Sequence, residues 1–179
     1  MKKDQIAIVD IETTGFMPHG LIVEIGIVKL NLNDGHVSIL YDSLVREEKF
    51  AEEHKESWIF GHSDLKYEDV IDAPPFDASA IQPIFDEFPA TAYNKKFDFT
   101  FLRSRQLKIS ELDCPMLLST NVCKLPGKYR GSFKRPTVEE AWRFFFKDDP
   151  YIEKHRGADD AEHEARIVYE LYKRDIFRV

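Results

Sequence analysis

The sequence predicts a mixed α/β domain: three strands in an antiparallel meander, then parallel strands alternating with helices that flank the sheet on both faces. Three observations carry this. Short β-branched runs open the chain, separated by glycine-containing turns, and such runs are the ones buried in sheets. Beyond Pro74-Pro75, short apolar segments alternate with stretches whose apolar residues recur at helical spacing, the pattern of parallel pairing with helical crossovers. At 179 residues, 43% of them hydrophobic and 14 of them phenylalanine, the chain can build one domain with a full core, taken as 1–179, whereas two would be cramped.

In order, Ile6-Ala7-Ile8-Val9 reads as a buried first strand near the sheet centre, followed by a loop that Gly15, Pro18 and Gly20 punctuate. Leu21 to Leu30 reads as the second strand, with Glu24 the one charge in its apolar part and assigned no chemistry. Asn33-Asp34-Gly35 is a hairpin signal, and Val37 to Val45 returns as the third strand. The charged run Arg46 to Lys55 reads as a solvated connection. Ser63 is expected to cap a short helix through Val70, with Asp64 in its first turn. Phe76 to Phe88 reads as a helix, Ala90 to Tyr93 as a fourth strand, and Asn94 as a cap before a helix from Phe97 to Leu107. Leu112 to Met116 reads as a short fifth strand leading into a helix through Val122. Pro136 is expected at the first position of a helix through about Phe146, and a last helix runs to about Lys173.

A formal net charge of −7 argues against a protein that holds nucleic acid by bulk charge, so a polyanion must be met by a local basic patch or by bound cations. Lys124 to Arg135 is such a patch: Lys124, Lys128, Arg130, Lys134 and Arg135 have no acid among them, and Tyr129 and Phe133 lie between. Lys128 and Arg130 are its candidate phosphate contacts. Cys114 and Cys123 fit no zinc pattern and read as buried apolar residues in a reducing compartment. Met1-Lys2-Lys3-Asp4 leads straight into the first strand with no signal-peptide apolar region, and no apolar run approaches a membrane span; the expected location is cytoplasmic.

Asp10 and Glu12 are two apart at the end of the first strand, so both project from one face. Carboxylates that close repel unless a proton or a cation lies between them. Alone, Asp-x-Glu is equally well read as turn polarity, so partners must come from elsewhere. Asp98 shares the apolar face of Phe101 and Leu102. In the last helix Asp159 falls on the polar stripe with His163, Arg166 and Glu170, whereas Asp160 falls with Glu164, Ile167 and Leu171 at the edge of the buried face. His155 precedes that helix on a glycine-containing turn and can aim at what Asp160 lines. Such an oxygen-rich set suits Mg2+ or Mn2+. Two such ions about 3.5–4 Å apart activate a water and stabilise the leaving oxygen of a phosphodiester. A histidine beside that water can take its proton near neutral pH.

These residues stand in three motifs. Asp10-Ile11-Glu12-Thr13-Thr14-Gly15, Tyr93-Asn94-Lys95-Lys96-Phe97-Asp98, and His155-Arg156-Gly157-Ala158-Asp159-Asp160 resemble, in order, the three motifs of the DEDDh 3′–5′ exonucleases. That family, on a ribonuclease-H-like fold, includes the proofreading subunit of bacterial DNA polymerase III, ribonuclease T and oligoribonuclease. The resemblance implies two divalent cations on Asp10, Glu12, Asp98 and Asp160, with His155 as general base. It also implies that Thr13 and Thr14 border the 3′-terminal nucleotide and that Asn94 holds the second motif. The implied substrate is a single-stranded 3′ end, DNA slightly favoured over RNA, with release of nucleoside 5′-monophosphates. A polymerase or homo-oligomer partner is left undetermined. The alternative is a non-catalytic nucleic-acid-binding or assembly subunit on the same fold, against which the five filled positions argue. Two departures stand out. Many relatives have Gly-His-Asn at Ala92-Tyr93-Asn94, and Ile-His-Gly-Ile-Thr at Ile59-Phe60-Gly61-His62-Ser63. His62 is therefore read as surface or packing, His163 as solvent-exposed, and His19, His36 and His54 as unremarkable polar positions.

Overall fold

A computed structural model describes residues 4–179; Met1 to Lys3, expected to lead straight into the first strand, lie outside the described residues. The sheet holds β1 (Gln5–Thr13), β2 (Ile22–Asn31), β3 (Val37–Leu44) and β4 (Ala90–Thr91) in the order β3-β2-β1-β4. The β1–β2 and β2–β3 pairs are antiparallel and β1–β4 is parallel, so the expected meander with parallel continuation is observed, with β1 interior. The helices are α1 (Trp58–His62), α2 (Tyr67–Ile71), α3 (Ala78–Glu87), α4 (Lys95–Ser104), α5 (Pro115–Cys123), α6 (Val138–Phe145) and α7 (Gly157–Lys173).

The alternation of β1 decides what each face of the sheet does. Ile6 and Ile8 pack with Val28 and Leu30 beneath Ala161, Ala165, Val168 and Leu171 of α7 and Trp142 of α6. Ala7, Val9 and Ile11 pack on the other face with Ile25 and Ile27 against Phe85, Phe99 and Leu102. A one-residue slip would turn both sets over. Ile6 and Ile8, fully buried and each worth roughly 1.5–3 kcal/mol, hold the register. Asp10 and Glu12 continue the parity of Ile6 and Ile8, which carries them onto the face that α7 covers.

Two contacts seat the start of α7 on that face. Gly26, opposite Asp10 across β1–β2, meets Gly157 so closely that a β-carbon on Gly26 would lie 2.0 Å from the Gly157 carbonyl carbon. Glu24 is buried, accepts from Arg156 Nη2 at 2.8 Å and Nε at 3.0 Å, and accepts from the Gly157 N–H at 3.2 Å. The charge left without a role in the sequence is the anchor of the last helix.

Several boundaries differ from expectation. The fifth strand is reduced to a single parallel bridge between Ala90 and Glu111, because α5 already starts at Pro115. Ser63 ends α1, a helix the sequence did not suggest, rather than starting one: its hydroxyl donates to the Ile59 carbonyl at 2.8 Å, and the expected helix is shortened to α2. Pro136 lies one residue before the cap of α6, since Thr137 and Glu140 form a reciprocal capping box that starts the helix at Val138. The Arg46–Lys55 connection is not wholly solvated, because Phe50 joins Leu21, Val23, Ile59, Leu65 and Val70 in a third, smaller apolar cluster.

Candidate active site

β4 ends at Thr91, while β1 runs on to Thr13. The Ile11 N–H on that open edge is taken instead by Asp98 Oδ1, at 3.3 Å, from the first turn of α4. Asp98 thus stands where the next strand carbonyl would be, buried beside the end of β1. From the opposite side α7 brings Asp160, 1% exposed. Its Oδ2 accepts from the Arg156 N–H at 2.8 Å, and its Oδ1 accepts from the Lys154 N–H at 3.3 Å and from the Tyr151 hydroxyl. Asp159 is half-buried and paired with Lys154 at 2.8 Å, so the two neighbouring acids divide as the helix stripes predict, though Asp159 is less exposed than expected. His155 adopts a left-handed backbone, φ 55°, a conformation costing roughly 1–2 kcal/mol for a residue with a β-carbon. Trp58 meets its ring edge-to-face, with centroids 4.9 Å apart. Ligand atoms of Glu12, His155 and Asp160 all lie within 4.8 Å of one another.

These groups surround a cleft of about 560 Å3 whose lining includes Asp10, Glu12, Asp98, Glu153 and Glu164 and neither lysine nor arginine. Burial first, then Glu12 and the other acids around it, holds the Asp10 carboxyl well above its ordinary range; burial, then Asp160, does the same to Glu12. Glu164 is raised by burial and by Asp98. Burial pushes Asp98 up to about 7, and burial with Asp160 pushes Glu153 up to about 7. Asp10 Oδ2 is buried without a hydrogen-bond partner. A buried acceptor with no donor, amid carboxylates that raise one another, fits a cation. The donor set, oxygens with a single imidazole, suits a hard divalent ion rather than zinc.

Asp10, Glu12, Asp98 and His155 line the cleft, and Asp160 joins Glu12 and His155 beside it. Thr13 and Thr14 form part of its wall, with their hydroxyls engaged in the turn: Thr13 Oγ1 donates to the Gly15 carbonyl at 2.9 Å, and Thr14 Oγ1 accepts from the Leu21 N–H at 3.0 Å. Asn94 is on the rim at the cap of α4, but its side chain makes no capping bond. Lys128 and Arg130 are exposed and do not line the cleft, and Lys134 pairs with Glu140, so the patch is not without opposing acids. Tyr93, standing where many relatives have histidine, is buried; its hydroxyl bonds the Thr137 carbonyl at 3.2 Å and its N–H bonds Glu164 at 3.1 Å. His62 is exposed and stacks on Trp58. His163 departs from expectation: it is half-buried, stacked on Tyr151 with centroids 4.0 Å apart.

Sequence reasoning missed Glu153, Glu164, Tyr151, Trp58 and Phe16. Glu164 was visible, one turn beyond Asp160 on the same stripe. The exposed Trp58 and Phe16, which line the cleft, sit in short or irregular segments where no periodicity marks a face.

The sequence profile of the RNase T exonuclease family matches residues 7–168. No curated protein matches by sequence. Among solved structures, a 3′-exonuclease in 3′-end-specific recognition of a histone mRNA stem-loop superposes with a TM-score of 0.72 at 16% identity, over 100% of this chain and 86% of that one. The nuclease domain of 3′hExo, described as a DEDDh family member bound to rAMP, gives 0.69 at 17% identity, over 97% and 94%. Pop2p of S. pombe, in an Mg2+- and Mn2+-bound form, gives 0.65 at 12% identity, over 94% and 83%. At such identities these are likenesses of fold.

Proposed function

The chain belongs to the RNase T exonuclease family, and from that premise we propose that it is a DEDDh-type 3′–5′ exonuclease, one domain over 1–179, removing nucleotides from single-stranded 3′ ends. The observation that carries the reading is Asp10 Oδ2, buried and unpartnered at the centre of the acid cluster. Asp10, Glu12, Asp98 and Asp160 are the residues that would hold two divalent cations, Mg2+ or Mn2+. When bound, such ions neutralise the phosphodiester and make an attacking water acidic. His155 accepts that water's proton, and Trp58 beside it limits where the ring can turn. Thr13 and Thr14, with Phe16 and Trp58, line the wall for the terminal nucleotide; the exposed rings supply faces on which a base can stack. Lys128 and Arg130 hold phosphates further along the strand. Two structural neighbours are described with RNA or a ribonucleotide, which sets RNA beside the DNA that the sequence slightly favours. The two free, buried cysteines support a reducing, cytoplasmic setting.

The test is release of mononucleotides from matched 5′-labelled single-stranded DNA and RNA, with Mg2+ and with Mn2+. The expected outcome is stepwise shortening from the 3′ end, abolished by Asp10→Asn while circular dichroism and melting remain those of a folded protein. Undiminished cleavage by Asp10→Asn overturns the reading. A wild-type chain that binds oligonucleotides yet never shortens them favours the non-catalytic binding subunit instead.

A further inference from the structure

Between α6 and α7 the chain from Phe146 to Arg156 forms neither helix nor strand, yet it meets Asp160 three times. Two of those contacts are backbone N–H groups; the third is the Tyr151 hydroxyl. The Tyr151 ring is gripped on two sides, stacked on His163 with centroids 4.0 Å and planes 19° apart, and tilted on Trp142 at 5.2 Å. A ring held that way has one place to put its hydroxyl.

A carboxylate offers about four lone-pair positions, two on each oxygen. Oδ1 of Asp160 uses both, for Tyr151 and the Lys154 N–H, whereas Oδ2 uses one, for the Arg156 N–H. We propose that Tyr151 is a positioning residue that saturates Asp160 Oδ1 and so turns Oδ2 alone toward the bound cation. This rests on the cation reading of the site given above. Without the phenol, Asp160 is free to rotate or to offer both oxygens. Mg2+ demands near-ideal octahedral geometry, whereas Ca2+ accepts bidentate carboxylates and irregular shells. Loss of the hydroxyl therefore weakens Mg2+ more than Ca2+.

The experiment is Tyr151→Phe in the full chain, which keeps the stacked ring and removes only the hydroxyl. Mg2+ and Ca2+ affinities are read from the metal-dependent rise in melting temperature, beside His163→Ala, which removes the stacking partner and keeps the phenol. The expected result is an Mg2+ affinity about 10–100-fold weaker in Tyr151→Phe, the usual range for a residue that orients a ligand, with Ca2+ weakened less. His163→Ala should lower the metal-free melting temperature and leave the Mg2+/Ca2+ ratio nearer wild type than Tyr151→Phe does. Equal weakening of both ions, unchanged Mg2+ affinity, or a His163→Ala ratio as altered as that of Tyr151→Phe overturns the proposal. A wild-type protein whose melting responds to neither ion overturns the cation reading itself, and this proposal with it.

Discussion

Replacing Asp98 by asparagine is expected to make the metal-free protein more stable and catalytically dead. Asp98 is 4% exposed, and burial raises its carboxyl from the ordinary range to about 7. A raised carboxyl favours the protonated form in the folded state. Its contribution is therefore fully present below the ordinary carboxylate range and is lost as pH rises through about 7. The shift is about three units at roughly 1.4 kcal/mol each, so ionising Asp98 in the folded protein costs on the order of 4 kcal/mol. That is an upper bound, because neighbouring acids exchange protons with it. Asparagine keeps an oxygen for the Ile11 N–H and carries no charge. In EDTA at about pH 8, Asp98→Asn should melt above wild type, by at most roughly 8–16 °C at the 2–4 °C per kcal/mol usual for this size. Near pH 5, about one unit above the ordinary carboxylate range, the folded carboxyl is protonated but the unfolded one is already largely ionised, so the advantage should shrink to less than half, vanishing only below that range. Calorimetric scans across that range, with a nuclease assay on the same preparations, make the comparison. A variant less stable than wild type at the higher pH, or one whose advantage is the same at both, refutes the reasoning.

His155→Ala should slow hydrolysis by roughly 10²–10⁴ with oligonucleotide binding retained; a wild-type rate would reassign the base. Gly26→Ala places a β-carbon 2.0 Å from the Gly157 carbonyl carbon and should cost about 1–3 kcal/mol, with activity falling as α7 shifts; an unaltered melting curve would mean that the helix yields without penalty. Lys128→Ala with Arg130→Ala should weaken single-strand binding and flatten its salt dependence by about 0.7 of a unit of slope for each phosphate no longer held, read from titrations at several salt concentrations; an unchanged slope removes the loop from the interface.

Where local pattern decides, sequence and structure agree. Once the apolar run Ile6 to Val9 is read as a strand, the common face of Asp10 and Glu12 two residues apart follows, and the helix period separates buried Asp160 from partly exposed Asp159. Where a distant partner decides, the sequence is silent. Glu24 looks like an error in a buried strand until Arg156, 132 residues later, supplies its counter-charge. Ser63 looks like a helix start because a cap and a helix end place the same residue types at a turn, and only the Ile59 carbonyl tells them apart. Tyr151 and Glu153 lie where no period exists, so nothing short of the folded chain shows them turning inward. Asp98 was legible as facing the core, but the reason it tolerates burial, an N–H left over where β4 stops, belongs to the sheet.

The docking of Gly157 against Gly26 also bears on biosynthesis. Asp10, Glu12 and Asp98 leave the ribosome early, in a segment that already contains every strand of the sheet. His155 and Asp160 emerge much later and reach the others only when α7 lies down on β2. A growing chain thus carries most of the acids while the proposed site stays open on one side. On the proposed assignment of the site, the last helix is the element that completes it, after the rest of the domain has been made.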